Sequence, residues 1–218
     1  MSGQIRKPGR KGGRKDEQQS VQEARLATLV AAAESVFLKK GYHLATMNDV
    51  AKAAGMSKKT IYALVDSKIE LFFAILADHH EKISFPAPQP QWSVADTLTA
   101  YLTTLGRFLL DPAQTALIRL MLAEYTHSPD FGRLFLRSKV VKSKTRLENA
   151  LAGIARAQGC SAVEAKEMSA MLFGMCLGEF HIGALIGFRP PPSRAALQAR
   201  VRKAVEIFLA GCCAADKD

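Results

Sequence analysis

The chain has 218 residues, of which 48% are hydrophobic and 23% are charged, and its formal net charge at pH 7 is +10. This composition is that of a globular protein with a substantial core, and it excludes a disordered chain. Residues 1–68 carry a net charge of +7, so we expect an anionic partner for the N-terminal third.

The first segment, MSGQIRKPGRKGGRK, contains six basic residues, several Gly and Pro, and no acidic residue. It has no apolar face to bury, so we predict a disordered basic arm over residues 1–19. The alternative is a solvated tail without a function.

The next three segments have the signals of short helices that are closely spaced. Ser20 and Glu23 form a capping-box pattern that predicts the start of a first helix, and Gly41 predicts its end. Thr46 is expected to cap a second helix. Gly55 then ends that helix, and Ser57 caps a third.

Three residues of this region have the spacing of a helix-turn-helix. Two short helices that cross steeply need a small residue at their contact, a glycine in the turn, and a branched apolar residue on the second helix. Ala51, Gly55 and Ile61 supply these in order. Ile61, Leu64 and Val65 would then face the core.

The opposite side of the third helix is basic and hydroxylated. Lys59, Tyr62 and Ala63 fall opposite Ile61, and Lys58 and Thr60 lie on the flanks. Side chains of these types contact phosphates and base edges in a DNA major groove. The alternative is an ordinary solvated helix start.

The rest of the chain also has a helical pattern. A fourth helix is predicted from Ser67 to Ile83, and the segment SFPAPQPQW then marks a domain junction, because its prolines prevent a helix. Further helix starts are predicted at Ser93, Pro112, Pro129, Ser161 and Ser193. No segment alternates as a strand does, so the predicted fold is all-α, with about nine helices.

The segment from Ala170 to Phe188 is apolar enough to resemble a membrane span. Glu179 lies at its centre, and a carboxylate there costs roughly 2.5–3.5 kcal/mol on insertion scales, so we predict a buried helix of a soluble protein. No secretory signal precedes the first helix. We therefore expect a cytoplasmic protein without a membrane partner.

Residues 41–76, GYHLATMNDVAKAAGMSKKTIYALVDSKIELFFAIL, resemble the DNA-binding domain of the TetR family of transcriptional regulators. After the basic arm over 1–19, the resemblance implies a helix-turn-helix domain over 20–84 and a helical effector-binding and dimerisation domain over 92–213. It also implies DNA contacts along the second, third and fourth helices, by Thr46, Ser57, Lys58, Lys59, Thr60, Tyr62, Ala63 and Lys68. The chain departs from the family at Ala63, Leu64 and Val65, where relatives often have a histidine and then aromatic residues.

The basic arm gains a role from this resemblance. Flexible arms of DNA-binding proteins insert arginines into the minor groove next to the recognition helix. Arg6, Arg10 and Arg14 are the candidates here.

A protein that reads a symmetric operator binds as a dimer, because two recognition helices must reach half-sites about 34–36 Å apart. Small residues let helices approach closely, so we predict a dimer interface on the last two helices. Its candidate residues are Gly174, Gly178, Ala195, Val201, Val205 and Phe208. The alternative is that these residues pack within one chain.

A ligand pocket is predicted in the middle helices, because aromatic and methionine side chains line apolar sites. Its candidates are Tyr101, Leu105, Phe108, Leu117, Met121, Tyr125, Met171 and Met175. These residue types fit an ordinary core equally well.

The predicted function is that of a homodimeric repressor, which binds a palindromic double-stranded DNA operator and is released by a small, partly apolar ligand. The alternatives are a constitutive DNA-binding protein, an activator without an effector, a helical enzyme and a membrane-surface protein. No catalytic motif such as GxSxG or HExxH occurs, so we expect no enzyme activity. The four cysteines lack metal-ligand spacing, and neither a metal nor a cofactor is expected.

Overall fold

The computed structural model describes residues 13–125 and 162–214, together with the single helical residues Arg133, Gly153 and Arg156. All regular structure in these ranges is helical, which confirms the predicted all-α class. The α-helices are α1 (Gly13–Lys40), α2 (Met47–Ala54), α3 (Lys58–Tyr62), α4 (Lys68–Glu81), α5 (Val94–Leu109), α6 (Pro112–Tyr125), α7 (Ala162–Phe173), α8 (Glu179–Ile186) and α9 (Arg194–Ala214). A π-helical turn, Gly174–Gly178, joins α7 to α8.

The chain divides into two compact units, Met1–Ile75 and Leu76–Asp218. The division falls within α4, whereas the sequence predicted it in the proline-rich segment after α4. That segment, residues 83–89, has no regular structure, as its prolines require.

The first helix begins at Gly13, seven residues before the predicted capping box. The box at Ser20 is therefore wrong: Ser20 lies inside the helix, and its hydroxyl donates a hydrogen bond to the Glu17 carbonyl oxygen at 3.1 Å. The disordered arm predicted over 1–19 is likewise corrected at its C-terminal end. Residues 13–19 are helical, and residues 1–12 lie outside the described residues.

The core of the first unit is built by one face of α1 against α2, α3 and α4. Phe37 of α1 meets Tyr42 at 5.3 Å and Phe72 of α4 at 6.1 Å between ring centroids, and Tyr42 meets Phe72 at 5.3 Å. The two pairs that include Tyr42 are edge-to-face, and such contacts add about 0.5–1.5 kcal/mol each to area burial. The buried residues around them include Leu29, Val30, Ala33, Val50, Ala51, Ile61, Val65, Leu71 and Ile75.

The core of the second unit lies mainly between α5 and α9. Val201, Val205 and Phe208 belong to it, with Leu98 and Leu102 of α5. These three residues were predicted at a dimer interface, with packing within one chain as the alternative, and within the chain they are buried as that alternative describes. Their place at an interface stays a prediction. Their periodicity marks a buried face of α9, but it does not say which helix covers that face.

The segment from α7 to α8 is buried on only one face. The span Glu167–Ile186 is long and apolar enough by composition to cross a membrane, with a mean hydropathy of 1.5, and 33% of it is buried. The prediction of a buried helix therefore holds for one face only. The other face exposes Met171, Met175, Ile182 and Ile186 to solvent, and Phe188 just beyond α8 is exposed as well.

Two side-chain networks hold α8. The guanidinium of Arg119 on α6 donates hydrogen bonds to the carbonyl oxygens of Ala184 and Leu185, at 2.6 and 2.7 Å, where α8 ends. At the other end of α8, the Glu179 carboxylate binds Arg189 at 2.7 Å and Arg200 at 3.0 Å. A charged carboxylate thus remains at the exposed start of this apolar helix.

The residues predicted to line a ligand pocket do not form one group. Tyr101, Phe108 and Met121 are half-buried, whereas Leu105 and Leu117 are buried. Met171 and Met175 are 66% and 38% exposed, and their place in an apolar pocket stays a prediction. Leu172 and Cys176, the residues that directly follow them, are buried in the core of this unit. The Tyr125 side chain lies outside the described part of the chain.

Candidate nucleic-acid interface

The second helix begins with a reciprocal capping box. The Asp49 backbone N–H donates to the Thr46 hydroxyl oxygen at 3.1 Å, and the Thr46 backbone N–H donates to the Asp49 carboxylate at 2.9 Å. Lys40, at the end of α1, contacts the same carboxylate at 2.6 Å. The hydrogen bonds from Lys40, from the Thr46 hydroxyl and from the Thr46 N–H hold the pKa of Asp49 well below its ordinary value, with the Lys40 hydrogen bond as the largest cause. The predicted cap is confirmed, while Lys40, nine residues away, has no local sequence signal that indicates its role.

A left-handed glycine makes the turn between α2 and α3. Gly55 has a φ of 64° and a ψ of 29°, a conformation that costs other residues about 1–2 kcal/mol. Its N–H donates to the Lys52 carbonyl oxygen at 3.3 Å, and the Met56 N–H donates to the Ala51 carbonyl oxygen at 3.0 Å. These bonds end α2 and redirect the chain into α3 within a few residues.

The third helix is capped at one end and anchored on one side. The Ser57 hydroxyl oxygen accepts a hydrogen bond from the Thr60 N–H at 3.1 Å, and the two hydroxyl groups are 2.9 Å apart. Ile61 is fully buried and Val65 nearly so, with Leu64 half-buried beside them. The predicted inward face of α3 is therefore confirmed.

The opposite face of α3 is exposed. Ser57, Lys58, Lys59 and Ala63 are exposed, Tyr62 is 49% exposed, and Thr60 is half-buried. Within the described residues, neither lysine nor Tyr62 makes a hydrogen bond or ion pair with another side chain. This face thus offers two ammonium groups, a phenol and two hydroxyls on a rigid backbone.

Lys68, at the start of α4, has contacts of its own. Its Nζ lies 4.3 Å from the centroid of the Tyr42 ring and donates to the His43 carbonyl oxygen at 3.3 Å. These contacts hold the ammonium next to the end of α1. Tyr42, just beyond the end of α1, thus helps to position this cation.

The arm residues are only partly within the described chain. Arg6 and Arg10 lie outside the described residues, and Arg14 lies in the first turn of α1. The described residues contain no group of three or more His, Cys, Asp and Glu side chains that could hold a metal ion.

Two family models match the chain, and together they cover both units. Residues 29–75 match the model described as bacterial regulatory proteins, tetR family. Residues 96–211, more than half of the chain, match the model described as the C-terminal domain of AefR-like transcriptional repressors.

A curated relative and two solved structures agree with these matches. The HTH-type transcriptional activator FasR of Mycolicibacterium smegmatis is 36% identical over 72 residues, which is 33% of either protein, so the chain spans only a third of that relative's length. The flavonoid-responsive regulator FrrA has a TM-score of 0.69 at 22% identity, over 87% of this chain and 97% of that one. A TetR transcriptional regulator of Agrobacterium tumefaciens has a TM-score of 0.65 at 23% identity, over 86% and 93%. At these identities the two structures indicate the shared fold alone.

Proposed function

This chain belongs to the TetR family of transcriptional regulators, a family of non-enzymatic DNA-binding proteins, and we propose that it is a homodimeric repressor that a small ligand releases from a palindromic operator. The observation that carries the DNA-binding role is the exposed basic face of α3, with Ile61 fully buried on the other side. In this proposal Lys58 and Lys59 enter the major groove.

The proposed contacts divide into two kinds. Lysines and hydroxyls at the start of a recognition helix read base edges, whereas contacts to phosphates set the register of the protein on the duplex. Ser57, Lys58, Lys59 and Thr60 are proposed for the groove. Thr46, Tyr62 and Lys68 are proposed to contact the flanking phosphates. The small side chain of Ala63, at the end of α3, leaves room for the DNA backbone.

The proposed dimer uses the exposed apolar face around α8 and not the buried face of α9. Ile182, Ile186 and Phe188 are each at least 60% exposed, and Ile207 on α9 is 52% exposed. A protein that exposes large apolar side chains as one patch usually covers them with a partner. Gly174 and Ala195, both exposed, and the half-buried Gly178 remain part of this proposed interface.

The proposed effector site lies in the second unit. A cavity of about 160 Å³ is lined there by Phe108 and by His79, Lys82, Asp111 and Gln114. Gln114 is 2% exposed, and its Oε1 has no hydrogen-bond partner among the described residues. Sites for drug-sized ligands occupy about 300–1,000 Å³, so the proposed effector is small and partly apolar, or the cavity enlarges when it binds. Release from DNA requires that the effector bind the low-affinity arrangement of the dimer more tightly.

The family matches support repression and activation unequally. The model that covers more than half of the chain describes repressors, while the named activator FasR matches only over 72 residues. We therefore favour a repressor. An activator that binds the same kind of operator is the second candidate.

The proposal is tested by selecting DNA bound to the full chain from a random library. The expected result is one enriched palindrome whose half-site centres lie one helical turn or a small multiple of it apart. A population of bound fragments with no common sequence would contradict specific operator binding, and a single asymmetric site would contradict the dimer.

A further inference from the structure

A groove of about 480 Å³ runs between the N-terminal part of α1 and the end of α3. On one side it is lined by Gln18, Val21, Gln22 and Arg25, which are spaced so that they share one face of α1. On the other side it is lined by Thr60, Ala63 and Leu64. Gln18 belongs to the turns by which α1 continues back to Gly13, beyond the start that its sequence predicts.

We propose that this groove holds the sugar-phosphate backbone beside the base pairs that α3 reads, with Arg25 in contact with a phosphate. The inference rests on the proposed function and adds to it a DNA contact from α1, outside the helix-turn-helix. The groove is continuous with the exposed face of α3 that includes Lys59 and Tyr62, because Thr60 and Ala63 belong both to the groove and to that face.

The chemistry of the groove matches a nucleic-acid backbone. Val21 is 48% exposed and Leu64 is half-buried, so both offer apolar surface to deoxyribose. The Gln22 amide and the Thr60 hydroxyl can donate hydrogen bonds to phosphate oxygens. Arg25 is exposed and pairs with no acidic group in the described part of the chain, so its guanidinium is available for a phosphate.

One residue of the groove opposes an anion. Glu17, at the end nearest the start of α1, is exposed and is the one acidic side chain among the lining residues. Its carboxylate repels a phosphate that lies in the groove. Removing the charges of Arg25 and Glu17 must therefore change DNA affinity in opposite directions, which no purely structural role of this helix predicts.

The test measures operator affinity at several salt concentrations for the full chain and three variants, with the operator taken from the selection described above. The variants are Arg25→Gln, Glu17→Gln and the control Lys39→Gln. Glutamine is a good helix former, so each variant keeps α1. Lys39 is exposed on the same helix, about 21 Å from Arg25 along the helix axis. Its substitution removes one positive charge at a site away from the groove.

Arg25→Gln is expected to weaken binding of the dimer about fivefold at 0.15 M salt. It should also make the dependence of log K on log salt shallower by about 1.8, because one phosphate contact worth about 0.9 is lost in each protomer. Glu17→Gln is expected to strengthen binding, and Lys39→Gln to leave the slope unchanged. If Arg25→Gln keeps the wild-type slope while the wild type binds its operator, the groove is not a DNA contact and the proposed function stands. If no operator is bound by any of the four proteins, the proposed function itself fails.

Discussion

Lys40 and Asp49 form an ion pair, with Nζ and Oδ1 2.6 Å apart, that joins the last turn of α1 to the first turn of α2. The same carboxylate accepts hydrogen bonds from the backbone N–H and the hydroxyl of Thr46. Asp49 thus caps α2 and also fixes it against α1. The orientation of α2, and of α3 after it, depends on this carboxylate.

Asp49→Asn is expected to lower the free energy of unfolding at neutral pH. In the variant this free energy should also fall less steeply as the pH is lowered. The pKa of Asp49 in the folded chain lies well below its ordinary value of 3.8, chiefly because of the hydrogen bond from Lys40. Its contribution is therefore complete above pH 3.8, where the unfolded chain is also ionised, and is lost as the pH falls towards the folded pKa. Urea unfolding between pH 7 and pH 2 measures this.

The matched control for Asp49→Asn is Asp66→Asn. Asp66 is exposed, and its carboxylate has no partner among the described residues. The control removes the same charge and should leave the loss of unfolding free energy at acidic pH almost the same as in the wild type. Identical pH profiles for the two variants would show that the network around Asp49 contributes nothing to stability.

Gly55→Ala is expected to destabilise the chain by about 1–2 kcal/mol, because alanine resists the left-handed conformation of this turn. No heavy atom outside Gly55 and its two chain neighbours lies within 4 Å of the position where the added methyl carbon would be, so the cost comes from the backbone conformation. Gly211→Ala provides the control, since it adds the same methyl in open space within α9, where alanine favours the helix by about 0.5–1 kcal/mol. Denaturation at one protein concentration should show that Gly55→Ala lowers the free energy of unfolding and that Gly211→Ala raises it. Changes of the same sign in both variants would contradict the proposed role of the turn.

The features predicted well from the sequence are those that depend on neighbouring residues. The caps at Thr46, Ser57 and Ser93 each need a hydroxyl and a backbone N–H three residues later, and all three are present. Gly41 and Gly55 end helices with positive φ, as their places in the pattern indicate. The all-α class follows from the same local signals.

The features predicted poorly from the sequence depend on tertiary packing, that is, on which helix surfaces contact each other within one chain or between two chains. The capping pattern at Ser20 is compatible with a helix interior, since its hydroxyl can donate to a carbonyl oxygen one turn back. The apolar stripe of α9 containing Val201 and Phe208 is the same whether α5 or a second chain covers it. The exposed Met171 of α7 and Met175 of the π-helical turn show the same ambiguity, because a methionine fits a core, a pocket or an interface.

Ile182→Glu is expected to shift the protein from dimer towards monomer. Ile182 is 60% exposed on α8, so the change costs little within one chain, but it would bury a carboxylate in the proposed interface. Sedimentation velocity over a range of concentrations measures the shift.

Leu122→Glu is the control for this change, since Leu122 is 49% exposed on α6 and is not part of the proposed interface. It should sediment as the wild type does. An intact Ile182→Glu dimer would place the interface elsewhere, and equal dissociation of both variants would indicate a general effect of the added charge.

The most direct test of the DNA-reading surface compares the wild type, Lys59→Ala and Lys39→Ala on the selected operator and on each of its single-base-pair variants. If Lys59 reads a base, its variant should lose about 1–3 kcal/mol of binding free energy and its preference at one position. If Lys59 contacts a phosphate, the loss should be uniform across sequences, and the salt slope should decrease by about one for each protomer, which is about two for the dimer. Wild-type affinity of Lys59→Ala for every DNA tested would contradict the assignment of α3 as the recognition helix.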